Sequence, residues 1–104
     1  MAAPYNPPKK NEDFIILICL EDLANPGSFK AAPTIAAGDF KVTTGGGALA
    51  NLATLPVVTP AGGIWVLLTV SAGEMNGDYI GLQGIDLTTP KEWGDWALSI
   101  PTTA

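Results

Sequence analysis

Apolar residues along this chain arrive in short runs separated by turn-forming segments, the spacing of a sheet protein. The strongest run is FIILICL, Phe14 to Leu20. It is rich in β-branched and aromatic residues and stops at EDLANPG, so it predicts a strand. The run does not alternate. Antiparallel strands usually show one face to water, so unbroken apolarity implies cover on both faces, from this domain or from another chain.

In DFKVTT the pattern changes: Phe40 and Val42 alternate with Asp39, Lys41 and Thr43, as in a half-buried strand. Gly45, Gly46 and Gly47 follow. Leu49 and Leu55 then bracket a weaker strand that Pro56 interrupts, and Pro60, Gly62 and Gly63 lead into IWVLLTVS. SAGEMNGD is a corner, and Ser71 and Glu74 have capping-box spacing for one short helical turn. YIGLQGIDL, with Ile80 and Leu82 on one face, predicts another strand. TTPKEWGD turns the chain, and WALSI closes the set before Pro101 and a polar tail. The result is an all-β chain of about six or seven short strands, the pattern of an immunoglobulin-like antiparallel sandwich.

Three segments follow from this reading: an extended arm over 1–13, a sandwich over 14–101 and a tail over 102–104. Pro4, Pro7 and Pro8 keep the arm out of helix. Tyr5 is its one adhesive side chain. A frayed terminus and a tether that orders on a neighbouring subunit fit the arm equally well.

The glycine run raises the question of a phosphate loop. Such a loop leads into a helix, usually with a lysine and a hydroxyl at fixed positions. Here ALANLATLP follows, without lysine and with a proline, so the glycines are expected to turn a hairpin.

Composition narrows the function classes. The 104 residues suffice for one small domain. Only 14% are charged, against a usual share of about 25%, which suggests a surface partly covered by a partner or by copies of itself. Ten acids against five lysines give a net charge of -5, with neither arginine nor histidine. Nucleic acid is therefore excluded as a partner, since its recognition needs clustered positive charge, and an anionic membrane surface is disfavoured too. Cys19, the single cysteine, is expected to be a small buried thiol. The first residues lack a signal-peptide pattern, and no apolar run nears the roughly 20 residues of a membrane span. The chain thus reads as a soluble protein made in the cytoplasm.

Catalytic and metal chemistry find little to work with. Zinc lacks ligands, and EMNGD and DLTTPKEWGD lack the alternating spacing of a calcium loop. Glu12 and Asp13, Glu21 and Asp22, and Glu92 and Asp95 fall at strand ends and turns, where acids keep turns soluble. No Ser–His or Cys–His pair exists to activate a nucleophile, and the chain reads as a non-enzyme without cofactors. Trp93 and Trp96 stand three residues apart, an odd spacing that puts them on opposite faces of a strand. One is therefore expected in the core and the other exposed, as an interface anchor or a sugar platform; for either residue alone, packing within the sandwich comes first. Tyr79 is a candidate corner tyrosine.

The segment AAPTIAAGDFKVTTGGGALANLATLPVVTPAGG, then SAGEMNGDY and EW, resembles a module common among small structural proteins of tailed bacteriophages. The likeness runs over roughly residues 31–96, and ANLATLP and EMNGD are its most specific elements. It implies a virion component with an immunoglobulin-like fold and brings no catalytic residues. The expected role is a capsid decoration or cement protein, made in the host cytoplasm, which associates with itself, as a trimer, and with the major capsid protein. A tail or baseplate component is the alternative, and a host-surface glycan-binding module comes third. The residues expected at the interface are Tyr5, Phe14, Ile16, Trp65, Trp93 and Trp96.

Overall fold

The computed structural model describes residues 7–103, and Tyr5 lies outside them. Seven strands form: β1 (Phe14–Cys19), β2 (Phe40–Thr44), β3 (Ala50–Asn51), β4 (Val57–Val58), β5 (Trp65–Val70), β6 (Tyr79–Gly84) and β7 (Trp96–Pro101). They make two antiparallel sheets, one in the order β1-β5-β4 and the other β3-β2-β6-β7. With β1 standing as strand B, this is B-E-D packed on C′-C-F-G, the immunoglobulin connectivity with no strand A among the described residues. The expected fold is the one observed.

Each sheet turns alternate residues inward, because successive strand side chains point to opposite faces. From the smaller sheet come Ile18, Val66, Leu68 and Val70; from the larger come Phe40, Val42, Leu82 and Ile100. Together with Met75, Ile80 and Trp93 they form one buried cluster between the layers. The segment around Pro56 does more than weaken a strand. Residues before it pair with β2 and residues after it pair with β5, so the chain changes sheets there. Proline has no N–H to leave unpaired at such a crossing.

The glycine run closes the β2–β3 hairpin. Gly45 and Gly46 hold φ at 60° and 80°, and the Gly47 N–H donates to the Thr44 carbonyl at 3.1 Å. Two consecutive positive φ values suit glycine and almost no other residue. The Tyr79 ring lies across this turn rather than bonding back to its own corner: a Cβ on Gly46 would sit 3.0 Å from its hydroxyl.

The corner before β6 is a single turn, closed by Met75 N–H donating to the Ser71 carbonyl at 2.9 Å. Its capping box is fully made. Glu74 Oε1 accepts from the Ser71 N–H at 2.9 Å and from the Ser71 hydroxyl at 3.0 Å. Glu74 Oε2 also accepts from the Ala53 N–H at 2.9 Å, which fastens the corner to the segment after β3.

The described part of the arm is held by its own chain. Lys9 bridges Thr103 in parallel, and the Thr103 N–H donates to the Pro8 carbonyl at 2.9 Å. Lys10 pairs with Asp78, and that contact holds the Asp78 carboxyl below its ordinary range. Residues 102 and 103 are part of the same seam, with the Thr102 N–H donating to the Asp78 carbonyl at 3.1 Å.

Candidate functional site

Most of the conspicuous side chains turn out to build the fold. Trp93 is wholly buried, and its indole N–H donates to the Thr34 carbonyl at 3.2 Å. Its ring stacks on Phe40 at 5.5 Å. It offers no surface to a partner, which corrects its assignment to the interface. Trp96 opens β7 opposite Gly84, on the inward face, and tilts against Phe40 at 5.9 Å. It is half-buried. The two tryptophans meet on one phenylalanine, because Trp93 belongs to a loop and strand alternation does not govern it.

Phe40 fits beneath both rings because β6 carries glycine opposite it. A Cβ on Gly84 would lie 2.6 Å from the Phe40 ring.

Two buried acids hold the ends of this layer. Asp39 accepts from the Ala36 N–H at 2.9 Å and from the Leu87 N–H at 3.3 Å. Asp86 is 2% exposed and accepts from the Glu92 N–H at 2.7 Å and the Thr88 N–H at 2.9 Å. Burial pushes the Asp86 carboxyl up, but the backbone donors outweigh it and hold the group below its ordinary range. Neither acid faces a partner carboxylate in a cleft. Among the described residues no group of three or more His, Cys, Asp or Glu side chains comes together to hold a metal ion. Among the described residues no helix is long and apolar enough to cross a membrane.

Residues of the GDFK, ANLATLP, EMNGD and EW segments fall on these same structural contacts. Asp39 and Trp93 anchor the loops around Phe40. Asn51 accepts from the Lys41 ammonium at 2.6 Å, Glu74 locks the corner, and Met75 is wholly buried. These contacts help to make the sandwich.

What remains for function is a surface. The register places Leu17, Leu67 and Val57 side by side across β1, β5 and β4. Cys19 pairs with Trp65 at one end and Ile15 with Thr69 at the other. Phe29 bridges Glu21 just beyond β1, and paired residues share a face, so Phe29 extends the same surface. Ile15, Leu17, Val57, Trp65 and Phe29 are between 45% and 58% exposed. Apart from the Cys19 thiol, Glu21 at the margin is the only ionisable side chain among these positions.

β1 is also the edge of its sheet, with no strand paired on its other side among the described residues. Of the two sources of cover expected for FIILICL, the described residues supply only the inner one. Phe14, Ile16 and Ile18 are buried or half-buried, while on the outward parity Ile15 and Leu17 are exposed and Cys19 is half-buried. Phe14 and Ile16, expected at the interface, pack against the core. Their neighbours Ile15 and Leu17 take the outward positions. Of the described interface candidates, Trp65 alone lies on this face.

A concavity of about 310 Å³ crosses the outer face of the larger sheet, lined by Thr43, Leu49, Gly81, Gln83, Ala97 and Ser99 among others. It holds no ionisable group.

The chain is, by its fold, an immunoglobulin-like sandwich whose most developed surface feature is an uncovered apolar sheet face. No family model, curated protein or solved structure matches it.

Proposed function

We propose that this protein is a non-enzymatic structural component of a tailed-phage virion, a decoration or cement protein of the capsid. The observation that carries the reading is the open apolar face of the β1-β5-β4 sheet. Five large apolar side chains stand about half exposed there on a chain with few charges. Contiguous apolar surface of this kind marks an association site. A domain of this size buries a limited share of its surface by itself, so assembly supplies stability that the core does not. The resemblance of residues 31–96 to phage structural modules supplies the kind of assembly.

A sugar platform finds less support, since Trp93 is internal and Trp96 packs on Phe40. Tail or baseplate membership is the alternative within the same class.

The test is quantitative mass spectrometry of gradient-purified particles separated into capsids and tails. The reading expects the protein in the capsid fraction, at a copy number in fixed ratio to the major capsid protein. Recovery in tails alone moves the assignment to the tail, and absence from both fractions overturns it.

A further inference from the structure

We infer that the outer face of the β1-β5-β4 sheet packs against the same face of a second copy, sheet on sheet, about a two-fold axis. The inference deepens the structural-protein reading by naming the surface and its partner, but it stands on the geometry of one chain.

The first argument is area. The five exposed residues carry on the order of 200 Å² of surface each and show about half of it, so the face presents about 500 Å². That lies in the upper part of the range for the largest patch on a monomer, about 300–600 Å². Two such faces in contact bury about 1,000 Å² in total, the size at which a specific interface begins.

Charge is the second argument. Burying an unpaired charge is costly, so a partner bearing lysine or carboxylate on its docking surface would gain no counter-charge here. A second copy brings Ile15, Leu17, Leu67, Val57 and Trp65, with the Glu21 carboxylate only at the margin of the face.

The third is shape. The face is a three-stranded antiparallel sheet, and two such sheets pack with strands about -30° apart and layers about 10 Å apart. A single self-complementary patch closes on itself as a two-fold dimer, without needing a second complementary surface.

Leu17 lies midway along the edge strand β1 on this face, beside Leu67 of the central strand, which pairs in turn with Val57. A lysine there places an ammonium within the contact while its stem stays compatible with an exposed strand position. Leu87, also exposed, lies in the connection after β6 and serves as the control.

The experiment is sedimentation equilibrium of the full chain over micromolar to millimolar concentrations. Wild type is expected at twice the 10.7 kDa chain mass, with a dissociation constant insensitive to added salt. Leu17→Lys and, separately, Val57→Lys are expected to weaken the dimer by at least about a hundredfold at unchanged far-ultraviolet circular dichroism. Leu87→Lys is expected to dimerise as wild type does.

A wild type monomeric throughout overturns the inference, and so does a trimer. A Leu17→Lys protein that is folded and still dimeric overturns the face as the contact; if Leu17→Lys does not fold, Val57→Lys carries that outcome. None of these results bears on whether the protein is found in capsids, so the two readings fail separately.

Discussion

A single methyl group added at Gly84 should unfold this domain at a markedly lower temperature. Gly84 lies in β6 opposite both Phe40 and Trp96, and its missing side chain is the space the Phe40 ring occupies. An added Cβ would sit 2.6 Å, 2.8 Å and 3.1 Å from three carbons of that ring. Ordinary contact begins near 3.4 Å, so the ring must retreat by most of an ångström. It cannot do so freely, because Phe40 is 2% exposed and has Trp93 stacked on it and Trp96 tilted against it. Overpacking of this kind costs about 1–3 kcal/mol. Against it stands the lower entropy of the unfolded chain when glycine becomes alanine, worth about 0.4–1 kcal/mol. The clash wins, leaving a net loss of about 1–2 kcal/mol and a fall in Tm of roughly 5–15 °C for a domain of this length.

Gly73 supplies the internal control. A Cβ there meets nothing within 4 Å, so Gly73→Ala keeps the entropic gain without the clash and should be neutral or slightly stabilising. Scanning calorimetry on the two variants decides the matter. A Gly84→Ala protein that melts within about 2 °C of wild type would refute the packing argument.

Other outcomes follow from the same structure. Trp93→Ala should cost about 3–5 kcal/mol in urea unfolding, since it empties a wholly buried site and leaves the Thr34 carbonyl without its donor. Glu74→Ala should cost about 1–3 kcal/mol, because the Ser71 and Ala53 N–H groups both lose their acceptor; a Cm unchanged from wild type would contradict the corner's role. Asp86 gives a pH dependence. Its folded pKa lies below the ordinary 3.8, so its contribution is full above that value and is lost as pH falls through the lower, folded pKa. Acid unfolding curves should therefore steepen below about pH 4 in wild type and flatten in Asp86→Asn.

Most strands and turns are legible because period-two alternation, glycine and proline are local signals. However, β4 after Pro56 carries no such signal and lies beyond the single weak strand expected between Leu49 and Leu55. DFKVTT announced β2 and GGG announced the hairpin after it. The capping box at Ser71 and Glu74 could be read from spacing alone. The parity of β1 could not. In an unbroken apolar run either alternate set satisfies the core, and a shift of one residue exchanges the two faces. That is why Phe14 and Ile16 were expected outside when Ile15 and Leu17 are there.

Strand alternation governs only one of the two tryptophans: Trp96 is in a strand, while the Trp93 ring reaches Phe40 from a loop, and both pack within the sandwich. The buried acids had a faint local signal. Asp86 is followed two residues on by Thr88, whose N–H it accepts, an Asx-turn pattern that also looks like any polar loop.

The virion assignment meets its most direct test when purified protein is added in increasing amounts to empty phage capsids that lack it and the mixture is sedimented. The account predicts saturable co-sedimentation at a fixed number of copies per capsid, with isolated tails leaving the protein in the supernatant. Protein that stays in the supernatant with capsids at every ratio would contradict it.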